Sequence, residues 1–240
     1  MLASAGAMYG VGASSAFAFH SLELEGDRYT VPEAVSTLVA VADGTNLFLV
    51  STADIAARLG GLPTVRSVDV SIVLPETVKV RLIEREPVLV WRIGTRPFLV
   101  DDEGILFGEL EPQRDATLPV VIDDRLASSA FEVGGRLDPV DLDAATRIGS
   151  VRGADVGSAQ AGFTLRVTDE NGFVLEAEPD GWDAVFGFYT PTLRRPDIIP
   201  GQVRLLRSLL IGREHEIGRV ILASETEGTY LPRPSPSPAP

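Results

Sequence analysis

Residues with the chemistry for catalysis or metal binding are few and scattered along this chain of 240 residues. The densest acidic group is Asp101, Asp102 and Glu103, and neighbouring carboxylates can bind a divalent cation or form the acid–base pair of a glycosidase. The group lies between two apolar runs and is followed by Gly104, a pattern typical of a turn in which acidic residues hydrogen-bond to the local backbone. We therefore interpret these carboxylates as structural.

Other catalytic chemistry has even less support. The chain has no cysteine, which excludes disulfides, thiol catalysis and cysteine-ligated metals. His20 and His215 are far apart in sequence, so an ordinary zinc site is not expected. The sequence contains no nucleophile elbow, phosphate-binding loop or dinucleotide fingerprint. We predict a protein that is not an enzyme, with no catalytic residues, no metal site, no cofactor and no small-molecule substrate.

Composition narrows the class of partner. The formal net charge is −13, which argues against nucleic acid because phosphate neutralisation requires clustered Lys and Arg. Hydrophobic residues make up 45% of the chain, enough for one large or two small packed domains. The remaining possibilities are protein partners and, through the N-terminus, a membrane.

The elements that organise the first part of the chain are two strands in residues 65–83. Apolar residues alternate with polar ones over residues 65–74 and again over 78–83, with Pro75 between the runs. This two-residue period predicts an antiparallel hairpin with one face on a core.

Upstream of the hairpin, the pattern predicts a strand and two helices. Residues 22–25 alternate like a strand, and Thr30 with Glu33 matches a capping box at the start of a first helix. Leu47, Phe48 and Leu49 are predicted to re-enter the core, and Ser51 is predicted to cap a second helix.

The rest of the chain continues without a flexible linker. Strands are predicted around residues 88–93, 98–100, 105–107, 118–122, 163–167, 173–177, 182–188 and 217–222. A helix is predicted after the Asp138-Pro139 pair, and an amphipathic helix over Gln202–Ile211.

This order of elements resembles that of the FtsQ/DivIB family of cell-division proteins, which have a POTRA domain followed by a β-domain. The similarity depends on several short motifs in the right order. They are Leu22-Glu-Leu24-Glu-Gly26, Gly44-Thr-Asn46-Leu47-Phe48, Leu62-Pro63-Thr-Val65, Leu74-Pro75-Glu76-Thr77-Val78-Lys-Val80, Glu84-Arg85-Glu86-Pro87-Val88 with Trp91, and the ending Phe186-Gly187 with Gln202-Val-x-Leu-Leu206.

The resemblance implies an α+β fold in two domains, a POTRA domain (β-α-α-β-β) at residues 20–87 and a mixed β-domain with two helices at residues 88–230. Residues 1–19 contain no charged side chain, and we predict that they form a transmembrane anchor, the alternative being a soluble leader. Residues 231–240 are rich in Pro and are predicted to be a disordered tail.

The function that the resemblance implies is that of a divisome scaffold. Such a protein would sit in the cell membrane as a single-pass protein, with its bulk extracytoplasmic. It would recruit FtsB/DivIC-like and FtsL-like partners at the septum. If the strand at residues 217–222 is a sheet edge, its backbone could accept a partner strand. The predicted partner-binding residues are Gln202, Leu205, Arg219, Val220, Ile221, Leu222 and Tyr230.

Two other functions are compatible with the sequence. A POTRA module of an outer-membrane assembly or secretion system is one, although residues 88–230 contain too few strands for a following barrel. A secreted binding module is the other, and it differs in whether the N-terminal segment stays in the membrane.

Overall fold

The computed structural model describes residues 15–109, 118–160, 162–179 and 181–233. The chain divides into two compact units, Met1–Arg85 and Glu86–Pro240, which we call the N-terminal and C-terminal units. Each combines helices with a sheet, so the predicted α+β class is confirmed.

The N-terminal unit has the predicted order of strand, helix, helix, strand, strand. Its sheet has the order β1-β3-β2, with β1 parallel to β3 and β2 antiparallel to it. Its elements are β1 (Ser21–Glu25), α1 (Pro32–Val39), α2 (Thr52–Leu59), β2 (Val65–Val73) and β3 (Thr77–Glu84).

The core of this unit forms between one face of the sheet and both helices. Alternate residues of β3 point into it, as the two-residue period predicts. The helices contribute residues spaced four apart, which lie on one helical face. The fully buried members include Val35, Val39, Ile55, Leu59, Val78 and Val80.

Two local predictions for this unit are wrong. Thr30 does not cap α1, because the N-cap position is Val31 and no side chain caps it. Pro32 already removes one of the backbone N–H groups that a cap would bind. The Thr30 hydroxyl instead lies 2.7 Å from the Thr64 hydroxyl, and the backbone N–H of Thr30 donates to the Glu84 carboxylate. The capping box is therefore replaced by a long-range contact to β3.

The second wrong prediction concerns Phe48 and Leu49, which were expected to enter the core with Leu47. The three residues form a 3-10 turn, so their side chains point in different directions. Leu47 is buried, whereas Phe48 and Leu49 are 54% and 76% exposed. Ser51 does cap the next helix, accepting the N–H of Asp54 at 3.2 Å, which confirms that prediction.

The C-terminal unit is built on one nine-stranded mixed sheet, which we call the large sheet. Its strand order is β12-β11-β10-β9-β8-β7-β4-β5-β6. The strands are β4 (Leu89–Ile93), β5 (Arg96–Val100), β6 (Leu106–Glu109), β7 (Val120–Asp123), β8 (Gly162–Thr168), β9 (Gly172–Glu178), β10 (Asp183–Gly187), β11 (Ile217–Leu222) and β12 (Gly228–Pro232).

Helices cover one face of the large sheet and complete its core. They are α3 (Pro139–Gly149), α4 (Gly153–Val156) and α5 (Ile199–Leu210). The cap of α3 is confirmed, since the Asp138 carboxylate accepts the N–H of Val140. The one-turn helix α4 was not predicted, and α5 begins three residues earlier than the apolar pattern indicated because Pro200 is compatible with a first helical turn. Trp91 and Trp182 are fully buried core residues.

The acidic group singled out above is part of a turn. Asp101 is buried, and its carboxylate accepts the N–H groups of Glu103 and Ile105 at 3.0 and 2.8 Å. This confirms the structural interpretation for Asp101.

The predicted anchor extends beyond the described residues, since residues 1–14 lie outside them. Ser15–Phe17 forms a 3-10 turn, and Ala18 is buried and forms a β-bridge with Asn46. In the part of the chain that the structure describes, no helix has the length and hydrophobicity needed to span a membrane.

Candidate partner-binding edge

The strand β11 is not a sheet edge, which corrects the prediction for residues 217–222. It pairs in parallel with β10 on one side and in antiparallel with β12 on the other. Both rows of its backbone groups are therefore used within the chain, and the edge of the large sheet is β12.

A tight turn reverses the chain between these strands. The N–H of Ser224 donates to the carbonyl of Glu227, and the Ser224 hydroxyl accepts the N–H groups of Thr226 and Glu227. This is the local hydrogen bonding by which a serine favours a turn. Leu231 and Pro232, which the sequence pattern assigned to the tail, belong to β12.

The open side of β12 can be assigned from the ends of its ladder. Arg233 donates its N–H to the carbonyl of Glu216, and the Glu227 carbonyl is used in the turn. Because alternate residues of an antiparallel strand bond to the same neighbour, Thr229 and Leu231 face β11. The N–H and C=O groups of Gly228 and Tyr230 consequently point away from the sheet. All residues of β12 are exposed.

Gln202, a predicted contact residue, is completely buried. Its amide nitrogen donates to the carbonyls of Phe186 and Leu222, and its amide oxygen accepts the hydroxyl of Tyr189 at 2.6 Å. Burial raises the pKa of Tyr189, so this hydroxyl stays a hydrogen-bond donor. Gln202 thus joins the ends of β10 and β11, and its side chain does not reach the surface.

The other predicted residues divide by exposure. Val220 and Leu222 are buried in the core, and Leu205 is half-buried beneath Gly228. Arg219 is exposed and forms an ion pair with Asp183 at 2.6 Å. Ile221 and Tyr230 are 39% and 40% exposed, and the guanidinium of Arg213 lies 5.4 Å from the centre of the Tyr230 ring.

Two carboxylates hold the segments that lead into and out of β11. Glu225 packs so closely on Gly201, in the first turn of α5, that a Cβ added to the glycine would lie 2.6 Å from the Glu225 Cβ. Glu214 accepts hydrogen bonds from the Ser158 hydroxyl, the Trp182 indole at 2.9 Å and the Ala159 N–H. Burial acts to raise the pKa of Glu214, but these hydrogen bonds outweigh it and lower the pKa.

The sequence pattern predicted Tyr230 as a contact residue but did not predict β12 as a strand. The signal was weak but present, because Thr229, Tyr230 and Leu231 are strand-forming residues that follow a Ser- and Gly-containing turn. Within the described ranges, no group of three or more His, Asp or Glu side chains is arranged to bind a metal ion. What the described residues do present at this end of the large sheet is a strand edge with exposed side chains.

Comparison with known proteins finds similarity to cell-division proteins. A family model described as "POTRA domain, FtsQ-type" matches residues 17–85. The chain is 27% identical over 219 residues to the "Cell division protein FtsQ" of Chloroflexus aurantiacus, in an alignment that covers 91% of this chain and 71% of that protein. It is 26% identical over 199 residues to the protein of the same name from Chloroflexus aggregans, covering 82% of this chain and 66% of the relative.

A third relative with the same name comes from Streptomyces coelicolor. It is 35% identical over 152 residues, which cover 56% of this chain and 57% of the relative. The matched part of each of the three relatives is thus 57–71% of its length.

Proposed function

Because the chain belongs to the FtsQ/DivIB family of cell-division proteins, we propose that it acts as a non-enzymatic scaffold of the division machinery. In this proposal it recruits FtsB/DivIC-like and FtsL-like proteins to the septum and holds them by strand addition. The observation that carries the proposal is the open backbone edge of β12.

Strand addition suits this edge for a physical reason. An unpaired row of N–H and C=O groups offers hydrogen bonds to any extended chain that can approach it. Gly228 and Tyr230 provide such groups. Pro232 has no N–H, so the donor row ends before it and sets a short docking length.

Side chains on both faces of this edge can add selectivity. Tyr230 lies in register with Val220 and therefore on the same face, beside Arg213. Leu231 and Arg219 are paired across the ladder on the other face. Arg219 is already paired with Asp183, so a partner strand would meet an aromatic side chain on one face and the apolar Leu231 on the other, an arrangement that favours apolar residues on both faces of the partner strand.

The remaining parts of the proposal concern location. We propose that the uncharged N-terminal segment anchors the protein in the cell membrane as a single-pass protein with both units extracytoplasmic. The N-terminal unit would serve recruitment to the division site. Sequence similarity of residues 17–85 to FtsQ-type POTRA domains supports that assignment.

The test is capture of partners with the tagged full chain from detergent-solubilised membranes of the source organism, followed by mass spectrometry. Two variants at the same position separate backbone from side chain. Tyr230→Ala keeps the outward N–H, whereas Tyr230→Pro removes it without breaking a bond to β11. We expect the wild type and Tyr230→Ala to retain short coiled-coil division proteins. The amount retained by Tyr230→Pro should be at least about tenfold lower, because roughly one backbone hydrogen bond to the partner is lost and the proline ring fits poorly against it.

Circular dichroism first establishes that each variant is folded. Equal capture by Tyr230→Pro and wild type would show that β12 is not the docking edge. Failure of every form, wild type included, to retain a division protein would refute the scaffold proposal itself.

A further inference from the structure

Of the six large apolar side chains exposed in the described part of the N-terminal unit, Val31 and Ile83 lie apart, and the other four lie together at one end. The strands β1 and β3 are parallel and both begin at this end, and β2 finishes there. We call it the leading end, and it comprises residues 17–21, 43–51 and 73–77. The opposite end, where β1 and β3 finish, carries the loop before α1.

The described chain enters the unit at the leading end and is bonded to both of its loops. Phe19 donates its N–H to the carbonyl of Thr45 at 2.7 Å. His20 and Ser21 both donate to the carbonyl of Glu76, at 3.0 and 3.2 Å. The rings of Phe17 and Phe48 meet edge to face, with centroids 5.2 Å apart. The position of Phe17 is therefore fixed relative to the whole end.

Four large apolar side chains project from the two loops that flank this point. Phe48 and Leu49 are 54% and 76% exposed, and Val73 and Leu74 are 44% and 50% exposed. The turn that presents the first pair is defined, because the Asn46 side chain accepts the N–H of Phe48 at 2.9 Å. Apolar side chains gathered at one exposed end indicate a contact surface.

The chain itself indicates what this surface meets. Residues 1–16, which lead directly to Phe17, contain no charged side chain. If that segment lies in a bilayer, Phe17 and the Phe48 ring packed against it are held at the point where the chain leaves the lipid. Aromatic and aliphatic residues at that depth are stabilised in the interfacial layer.

From this arrangement we infer that Phe48, Leu49, Val73 and Leu74 rest in the interfacial layer of the membrane and dock the N-terminal unit against it. The inference rests on the proposed membrane anchoring. Docking would fix the tilt of the unit relative to the membrane rather than leave it tethered by a flexible joint.

Charge at the leading end specifies the kind of lipid surface. Asp43, Asp54 and Glu76 are exposed around the apolar residues. The guanidinium of Arg58 is already used, donating to the carbonyls of Leu38 and Val39 at the end of α1. Anionic headgroups would be repelled by these carboxylates, so the docking is apolar and does not require acidic lipid.

The absence of cysteine allows a direct test. Single cysteines replace Leu49, Leu74, or Val31 as a control, and carry an environment-sensitive fluorophore. Val31 is a matched control because it is 59% exposed but lies before α1, at the opposite end. The full chain is reconstituted into phosphatidylcholine vesicles with and without nitroxide-labelled lipid. A fluorophore on Ala7→Cys reports whether the N-terminal segment is in the bilayer.

We expect lipid quenching of the labels on Leu49→Cys and Leu74→Cys to exceed that on Val31→Cys by at least about threefold. Lipid quenching at positions 49 and 74 should not decrease in high salt and should not require anionic lipid. Adding Phe48→Ser and Val73→Ser should lower quenching at position 49 while quenching at position 7 is retained.

The other outcomes separate the inference from its premise. Quenching at position 7 with equal, weak quenching at positions 49, 74 and 31 would overturn the inference and leave the anchor standing. Absence of the chain from the vesicles would overturn the anchor and the docking together. Energy transfer between labels at position 49 on different copies, without lipid quenching, would assign the surface to a second copy and also overturn the inference.

Discussion

The two edges of the large sheet are finished in different ways. At β6 the chain covers its own edge, because Leu106 donates its N–H to the carbonyl of Gly135 and accepts the N–H of Gly134. Leu106 is completely buried beneath this loop. At β12 no loop of the described chain covers the outward groups of Tyr230, and the whole strand is exposed.

The difference shows that the open edge is not a general feature of this sheet. Exposed edges invite unwanted pairing, and proteins commonly cover, charge or interrupt them. Here a loop at residues 131–137 bonds to one edge at Leu106, whereas in the described residues the outward row of the other edge is interrupted at Pro232. The same sheet thus has its β6 edge covered and its β12 edge open, which is consistent with the proposed docking of a partner at β12.

The largest predicted effect tests this contrast with the same substitution at both edges. Leu106→Ala should lower the free energy of unfolding by about 2–5 kcal/mol, because it leaves a cavity under the covering loop. Leu231→Ala should change it by no more than about 0.5 kcal/mol, because its side chain is 52% exposed. Urea unfolding of both variants measures the difference.

Partner capture with Leu106→Ala and Leu231→Ala separates an effect on binding from an effect on stability. Leu231→Ala should weaken capture although it hardly alters stability, and Leu106→Ala should not weaken it in folded protein. A Leu231→Ala variant as unstable as Leu106→Ala would mean that β12 is packed like β6 and that the two edges are equivalent.

An intermediate effect is predicted at Gly201, where the turn before β12 packs on α5. Replacing glycine by alanine in a helix ordinarily stabilises a protein by about 0.5–1 kcal/mol. Here the new Cβ would lie 2.6 Å from the Cβ of Glu225, so the turn must move. We expect Gly201→Ala to destabilise the protein by about 1–2 kcal/mol and to speed hydrogen exchange in β12 but not in β6.

A double variant tests the cause of that effect. In a Glu225→Gly background the clash is absent, and Gly201→Ala should recover the ordinary gain in stability. If Gly201→Ala still destabilises the protein there, the contact with Glu225 does not hold the turn.

Much of this fold follows from local patterns in the sequence. Alternation identified β2 and β3, and the Asp138-Pro139 pair located the start of α3, because both signals depend on residues close in the chain. The capping box at Thr30 failed for the opposite reason. Its N–H bonds to Glu84, a residue distant in sequence that no local pattern could bring to it.

The candidate site shows the same division between local and distant information. The strand at residues 217–222 was found with its observed ends, yet its environment was wrong because pairing with β12 depends on the return of the chain. Gln202 was selected by motif similarity, whereas its burial follows from contacts with Phe186 and Leu222 that only the tertiary structure reveals. A motif can thus identify an important residue without showing whether it contacts the partner or supports the strand that does.

The smallest predicted effect concerns pH at the start of β11. The pKa of Glu214 is lowered in the folded protein, so its hydrogen bonds add stability above the ordinary pKa range of glutamate. This contribution should be lost as the pH falls through the lower, folded-state pKa. It should amount to less than about 1 kcal/mol, because solvent screens a partly exposed carboxylate.

Urea unfolding between neutral and acidic pH measures this effect. The free energies of unfolding of wild type and Glu214→Gln should converge as the pH falls, and Glu216→Gln, at an exposed position, is the charge-matched control. Hydrogen exchange should quicken at β11 and β12 before β6, since Glu214 holds the segment that leads into β11; equal loosening at both edges would show that Glu214 stabilises the unit as a whole.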